Sequence, residues 1–269
     1  MMILIYSNKR KEGNMKFKLL RTNYIILLVL IINLIFLNGM SQKPANEKID
    51  TTITTKQNTS NATELIIDFK WGQAFNHPTF ALWVETLDGK FIKTVYATES
   101  ISTGIWPYGE IEPGKWKPKP GNQVRPAALP YWLHKRSKNK LKPLLPTPEN
   151  PLPDAITSAT PKSNFRLKTG VGPEVPRKFR FLVEINQTWD WNDYWTNNKF
   201  PDNQDYKTSA QPAVVYAVNI DLTDKMTEYY LNPIGHSHYS GKNGLLYTDL
   251  STLTTAMNIV KSIKIEIIR

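Results

Sequence analysis

Cysteine is absent from the 269 residues of this chain, and histidine occurs only four times. Without cysteine there is no disulfide, no thiolate metal site, no cysteine nucleophile and no acylated cysteine of a lipoprotein. The sequence also lacks a serine in a nucleophile elbow, an HExxH zinc motif and a glycine-rich phosphate loop. Few residues of the types that catalyse hydrolysis remain, so enzyme activity is uncertain. A carrier or accessory protein is favoured over a catalyst.

The N-terminal part of the chain has the pattern of an export signal. Residues 9–21 carry six Lys and Arg residues, and residues 24–37 form an apolar run. This run is too short to span a bilayer comfortably and has the length of a signal-peptide core. We predict a signal peptide over 1–41 and a periplasmic mature protein that is neither a lipoprotein nor embedded in the membrane. An uncleaved N-terminal anchor is the alternative.

The positive charge of the chain is concentrated in this leader. The formal net charge is +11, and it falls to +6 without residues 1–41, which hold six basic and one acidic residue. The remaining basic residues are scattered, and the one dense run, at 135–142, is interpreted as a solvated loop. We therefore expect no nucleic-acid partner.

The mature sequence is dominated by strand patterns. Residues 42–63 are rich in Thr, Asn, Lys and Ser and are predicted to be a disordered linker. From Glu64 onward, Leu65, Ile67 and Phe69 alternate with polar residues, as in a half-buried strand. Similar patterns follow at 80–97, 178–185, 212–221, 227–234 and 262–269. The prediction is an all-β domain over 64–269, an antiparallel Ig-like β-sandwich.

Two further segments complete the predicted domain. Apolar residues at helical spacing over 249–261 predict one C-terminal α-helix. Residues 107–153 contain eleven of the nineteen prolines, which interrupt both helices and sheet ladders. We therefore predict a long, irregular, Pro-rich insert loop over 107–177.

The insert leads into the segment DAITSAT, residues 154–160. This segment resembles the acceptor motif of proteins that are modified by the bacterial FAD:protein FMN transferase. The resemblance implies a covalent FMN cofactor, attached to Thr160 through a phosphoester, with Asp154, Thr157, Ser158 and Ala159 read by the transferase. The small neighbours of Thr160 would let a bulky dinucleotide approach its hydroxyl. An ordinary solvated Ser/Thr turn is the alternative.

A longer set of blocks resembles one predicted periplasmic family, catalogued as domain of unknown function 2271. This resemblance spans about residues 65–267 and implies an extracytoplasmic redox context, near PepSY-type membrane proteins and the flavin transferase. The family has no established activity. The blocks are HPTFALWVETLDGKFIKTVYAT from His77, RPAALPYWLHKR from Arg125, DAITSATPK, QPAVVYAVNIDL from Gln211 and IGHSHYSGKNGLLYTDLSTLTTAMNIV from Ile234.

Two polar and aromatic motifs are candidates for the surroundings of the flavin. His236 and His238 are two residues apart, so on a strand both rings face the same side and are weak candidates for a shared metal ion. A hydrogen-bonded histidine pair is the alternative. Trp191 lies in WDWNDYW, whose rings suit stacking on an isoalloxazine ring or a sugar. The alternative is an aromatic plug that closes one end of the sandwich.

These observations lead to one function and two rivals. The predicted function is an exported, flavinylated electron carrier or relay, with Thr160, Trp191, His236 and His238 around the FMN. Its expected partners are the FAD:protein FMN transferase and a PepSY-type membrane redox protein. The first rival is a non-redox periplasmic binding module for a sugar, a peptide or a metal ion. The second is a structural subunit that docks on a membrane reductase.

Overall fold

A computed structural model describes residues 48–55, 62–112, 115–138, 143–153 and 157–268. The predicted signal peptide and Asp154 of the acceptor-like segment lie outside these residues. No helix in the described part of the chain is long and apolar enough to cross a membrane.

The described residues form fifteen strands, three short α-helices and one 3-10 turn at Ala256–Asn258. The helices are α1 Glu99–Thr103, α2 Pro130–Lys138 and α3 Gln204–Ser209. The strands are β1 Thr51–Thr54, β2 Thr63–Trp71, β3 Thr79–Glu85, β4 Phe91–Thr98, β5 Ile105–Trp106, β6 Gly109–Glu112, β7 Lys115–Lys117, β8 Gly121–Asn122, β9 Thr157–Ser158, β10 Phe165–Val171, β11 Lys178–Asn186, β12 Val214–Asp221, β13 Glu228–Tyr230, β14 Asn232–His236 and β15 Val260–Ile268.

The strands assemble into two main sheets. The five-stranded sheet has the order β1-β10-β2-β15-β13, and the six-stranded sheet has the order β14-β12-β11-β3-β4-β9. Strands make up 42% of the structure and helices 11%, so the mostly-β prediction is confirmed. The expectation of purely antiparallel sheets is wrong, because β1 pairs with β10 and β4 pairs with β9 in parallel.

Period-2 alternation in the sequence corresponds to the observed core. Leu65, Ile67 and Phe69 of β2 are fully buried, as the pattern predicts. They pack into one cluster with residues of the six-stranded sheet, including Phe80 and Phe181. The inner faces of the two sheets therefore share a single hydrophobic core.

The Pro-rich insert is not an irregular loop, and this prediction is wrong. It contains helix α2, whose Trp132 and Leu133 pack on the outer face of the six-stranded sheet. On that face Trp83 and Leu182 are fully buried beneath the insert. Pro130 is compatible with the helix because it occupies the first helical position, where a backbone N–H is not needed. The insert thus forms a third layer over the sheet.

The predicted insert also contains a strand that has neighbours on both sides. Residues 165–171 form β10, which pairs with β2 on one side and β1 on the other. The alternation of Phe165 and Leu167 with Arg166 and Lys168 signals this strand in the sequence. The predicted irregular insert, drawn over 107–177 because of the prolines at 107–153, includes these residues and therefore misses the strand.

The predicted C-terminal α-helix does not form, so this expectation is wrong. Residues 249–261 contain only the 3-10 turn, and the chain enters β15 at Val260. The carboxylate of Asp249 accepts hydrogen bonds from the backbone and side chain of Ser251, which closes a local turn instead of beginning a helix. Pairing of β15 along β2 then determines the backbone conformation that follows.

The disordered-linker prediction for 42–63 is wrong over Thr51–Thr54. These residues pair with Phe165–Lys168 of β10 in parallel. Thr55, which follows them, is buried, and its hydroxyl donates to the hydroxyl of Thr169 at 2.8 Å. The free edge of β10 offers backbone groups to which a β-branched stretch such as TTITT can bind.

Candidate functional site

The acceptor-like segment lies at one edge of the six-stranded sheet. Thr157 and Ser158 form β9 and pair in parallel with Ala97 and Thr98 at the end of β4. The hydroxyl groups of Ser158 and Tyr96 are hydrogen-bonded at 2.7 Å. The segment is therefore held against the sheet by both its backbone and a side chain.

The hydroxyl of Thr160 is engaged in a hydrogen bond. Thr160 is half-buried, and its Oγ1 donates to the carbonyl oxygen of Pro78 at 2.8 Å. Thr157 and Ala159 on either side of Ser158 are exposed. For Oγ1 to act as a nucleophile, the hydroxyl must give up its hydrogen bond to the carbonyl oxygen of Pro78. A rotation of the threonine side chain breaks that bond.

The two histidines have different hydrogen-bond roles. His236 places Nδ1 2.8 Å from the carbonyl oxygen of Ser237, so Nδ1 donates this hydrogen bond. His238 is buried, and its Nδ1 accepts from the backbone N–H of Ser240 at 3.1 Å. Burial, Lys242 and His236 lower the pKa of His238, which keeps its ring neutral.

This arrangement favours a hydrogen-bonded pair over a metal site. The neutral ring of His238 uses its only lone pair on the N–H of Ser240, so ligation of a metal ion would break that bond. Within the described residues there is no group of three or more His, Cys, Asp or Glu side chains placed to hold a metal ion.

The WDWNDYW segment is folded around the side chain of Asn192. Its Oδ1 accepts from the backbone N–H groups of Tyr194 and Trp195, and its Nδ2 donates to Gln211 and to the backbone of Thr252. These bonds close a tight turn that directs Trp195 inward, where it is buried, and leaves Tyr194 exposed.

The structure brings this segment together with the histidine pair. The ring centroids of Trp195 and His236 are 6.4 Å apart, and Trp195 is at the same distance from Tyr239. His236 stacks on Tyr247 at 5.5 Å, while Trp191 contacts Tyr206 edge-on at 5.7 Å. We call this group the aromatic cluster; its members are Trp191, Tyr194, Trp195, Phe200, Tyr206, His236, His238, Tyr239 and Tyr247.

Part of the aromatic cluster is accessible at the surface. The side chain of Tyr194 is 51% exposed and that of Tyr247 is 36% exposed. Lys199 places its Nζ 3.3 Å from the centroid of the Tyr194 ring, which adds a positive charge beside the exposed rings. The sequence patterns do not single out Tyr239 or Tyr247, although Tyr239 is adjacent to His238 and Tyr247 follows it by nine residues.

Thr160 and the aromatic cluster do not meet. Thr160 is bonded to Pro78, which directly precedes β3, whereas His236 ends β14. Strands β11 and β12 lie between β3 and β14, so the two backbones are about 14 Å apart at ordinary strand spacing. The predicted site residues therefore fall into two groups, with Trp191, His236 and His238 in one and residues 157–160 in the other.

Comparison with known proteins adds no relative. No protein-family model, no curated protein and no solved structure was found to match this chain.

Proposed function

We propose that this protein is an exported flavinylated electron carrier or relay, with FMN attached to Thr160 through a phosphoester. The observation that carries the proposal is the position of the acceptor-like segment at the edge of a sheet. There Thr157 and Ala159 are exposed, and among the described strands β9 has a neighbour, β4, on one side only. A transferase can approach such an edge without unfolding the core.

The proposed modification is a single displacement at phosphorus. Oγ1 of Thr160 attacks the FMN-side phosphorus of FAD, the pyrophosphate P–O bond breaks, and AMP leaves. The hydroxyl proton passes to a base of the FAD:protein FMN transferase. Asp154, Thr157, Ser158 and Ala159 would be the residues that the enzyme reads. Within the described residues, the hydrogen bond from Thr160 to Pro78 is the contact of this hydroxyl that must be given up.

The surroundings of the flavin form a separate part of the proposal. The resemblance to the predicted periplasmic family supports a periplasmic location and a PepSY-type membrane redox partner. Contact of the flavin with Trp191, His236 or His238 would require it to reach across β11 and β12 from Thr160. We also infer, from the two sheets that share one core, that the fold is a β-sandwich of Ig-like type.

Intact mass tests the attachment. The protein is co-expressed with an FAD:protein FMN transferase, and an FMN-sized mass increment is expected, together with fluorescence of the denatured band in a gel. Thr160→Ala should abolish both signals, whereas Thr160→Ser, which keeps a hydroxyl, should retain them. Absence of the increment, or its persistence in Thr160→Ala, would end the proposal.

A second candidate function is a non-redox binding module, which the aromatic cluster favours. Exposed Tyr194 and Tyr247 beside His236 and Lys199 provide ring faces and polar groups of the kind that bind sugars. A glycan screen should then detect a ligand that Tyr247→Ala weakens about tenfold or more. Tyr230→Ala is the matched control, because Tyr230 is also exposed, at 55% against 36% for Tyr247, but belongs to the other sheet.

A further inference from the structure

The loop that joins β2 to β3 lies alongside the acceptor-like segment. At one end of this loop, the carbonyl oxygen of Pro78 accepts the hydrogen bond from Thr160 Oγ1 at 2.8 Å. At the other end, the backbone N–H of Trp71 donates to Asn164 Oδ1 at 2.9 Å. The indole N–H of Trp71 donates to the carbonyl oxygen of Ser163, also at 2.9 Å. The chain that starts at Thr160 is therefore bonded to both ends of the loop.

The loop carries a series of aromatic rings that leads from the core to the surface. The ring centroid of Trp71 is 5.6 Å from that of the buried Phe165. Phe75 lies 4.7 Å from Trp71, and His77 lies 5.6 Å from Phe75. Trp71 and Phe75 are half-buried, whereas His77 is exposed. The outer end of the series thus presents an accessible ring beside the loop end that Thr160 contacts.

Hydrogen bonds to other parts of the chain fix the conformation of this loop. The backbone N–H of Gly72 donates to the carbonyl oxygen of Ile259 at 2.8 Å, and that of Asn76 donates to Gln187 Oε1 at 2.7 Å. His77 has a φ of +54°, in the left-handed region that few residues other than glycine adopt. Such a conformation persists where the surrounding structure enforces it, and it is frequent at ligand sites. The rings are therefore in place before any ligand binds.

The charges around the loop are compatible with an anionic cofactor. FMN that is attached through a phosphoester keeps one negative charge on its phosphate. Residues 72–78 and 157–164 contain no Asp or Glu, and Lys162, close to Thr160 in the sequence, is exposed. Neither segment therefore contributes a like charge that would repel the phosphate.

We propose that the isoalloxazine ring of the FMN on Thr160 packs against Phe75 and His77. This inference rests on the proposed attachment and adds the position of the ring to it. Pro78, which accepts the hydrogen bond of Thr160, directly follows His77, so the ribityl phosphate chain has only to reach the adjacent loop. The aromatic cluster, in contrast, lies across β11 and β12. Aromatic side chains offer the flat flavin ring both apolar area and favourable ring contacts.

Nuclear magnetic resonance of the histidine rings tests the proposal on protein co-expressed with the FAD:protein FMN transferase. The chain has four histidines, and His77→Asn and His236→Asn assign the two sets of ring signals that matter. Packing of the flavin face on the imidazole should shift the His77 signals upfield relative to unmodified protein. The His236 signals are the internal control and should not move, because His236 belongs to the aromatic cluster. Unmoved His77 signals in protein that carries the FMN mass increment would overturn the proposal.

Two variants test whether these rings hold the flavin. Phe75→Leu removes a ring but keeps an apolar side chain, and His77→Asn removes a ring but tolerates the left-handed backbone. Both should retain the FMN mass increment and roughly halve the excess fluorescence anisotropy of the attached flavin over its value in denatured protein. His236→Asn is the matched control and should leave the anisotropy unchanged. Loss of anisotropy in His236→Asn alone would place the flavin at the aromatic cluster and contradict the proposal.

Free FMN separates this proposal from the attachment itself. Unmodified protein is titrated with FMN at millimolar concentrations, which a short tether also provides locally. The His77 signals should shift upfield, and the His236 signals should not. If co-expression gives no mass increment, this titration decides alone. A His77 shift would then refute only the attachment to Thr160, whereas unmoved His77 signals would refute both the attachment and the ring contact.

Discussion

The carboxylate of Glu184 accepts a hydrogen bond of 2.7 Å from the backbone N–H of Trp132. Its other oxygen accepts from the N–H of Tyr131 at 3.2 Å. A residue of strand β11 therefore satisfies the first turn of helix α2, which lies above it. Glu184 is fully buried, and that burial raises its pKa to about 8 despite the two backbone bonds.

This raised pKa makes stability depend on pH. In the folded state Glu184 holds its proton up to about pH 8, whereas in the unfolded chain it loses the proton near its ordinary pKa of 4.5. The folded state thus binds more protons between these values, so its contribution to stability is complete below about pH 4.5 and is lost as the pH rises through 8. We expect the loss to be on the order of a few kcal/mol.

Glu184→Gln should remove this dependence, since an amide does not titrate in this range. The free energy of unfolding is measured by urea titration of both proteins at pH 5.5, 7 and 8.5. The difference between them isolates Glu184 from other groups, such as Asp190, whose pKa is also raised by burial. An identical decline with pH in both proteins would show that Glu184 does not carry it.

Leu182 tests whether the insert is a structural layer. It is fully buried on the outer face of the six-stranded sheet, against residues of the insert. Leu182→Ala should lower the free energy of unfolding by about 2–5 kcal/mol, because it leaves a cavity. The control Leu245→Ala, at a residue that is 60% exposed, should change it by no more than about 0.5 kcal/mol. A similar small change at Leu182 would mean that the insert does not pack there.

Gly241 joins the histidine-bearing turn to the insert. It has a φ of +74°, and a Cβ atom at this position would lie 2.1 Å from the carbonyl oxygen of Pro126. Gly241→Ala should therefore destabilise by about 3 kcal/mol or more. Gly89→Ala is the control, because its φ is +85° but the atom nearest to an added Cβ is the terminal nitrogen of the Lys135 side chain, at 3.3 Å; it should cost only about 1 kcal/mol. Equal thermal shifts for both variants would refute this close contact.

The short strand β1 can be tested by amide hydrogen exchange. The backbone N–H of Thr55 donates to the carbonyl oxygen of Lys168 at 2.9 Å. We expect this amide to exchange about two orders of magnitude more slowly than in an unstructured peptide. Thr55→Val, which removes the buried bond to the Thr169 hydroxyl, should reduce that protection. Exchange at the unstructured rate in the native protein would favour a disordered linker.

Local alternation is enough to predict individual strands but not how they are layered. Leu65, Ile67 and Phe69 could be placed inward from the sequence, and all three are buried. For Leu182 the half-buried strand pattern of residues 178–185 predicts a place on the outer, mostly polar face. Its burial depends on helix α2, about fifty residues earlier in the chain, and no local pattern contains that information.

The same distinction holds for the candidate site. The sequence indicated Trp191, His236 and His238 as separate motifs, and only the pairing of β12 with β14 brings the histidines near Trp195. It also suggested that these residues surround Thr160, which the strand order does not support. Strand order depends on contacts between distant segments, so spacing along the chain could not predict it.

The distance between the two borders of the six-stranded sheet has an evolutionary consequence. The acceptor-like segment borders this sheet at β9, and the aromatic cluster borders it at β14, with four strands between them. We expect a substitution at one border to leave the packing at the other unchanged, because distant sites without shared contacts act independently. The proposed FMN attachment and the proposed ligand binding would therefore be separable traits, each of which a lineage could gain or lose while it inherits the same scaffold.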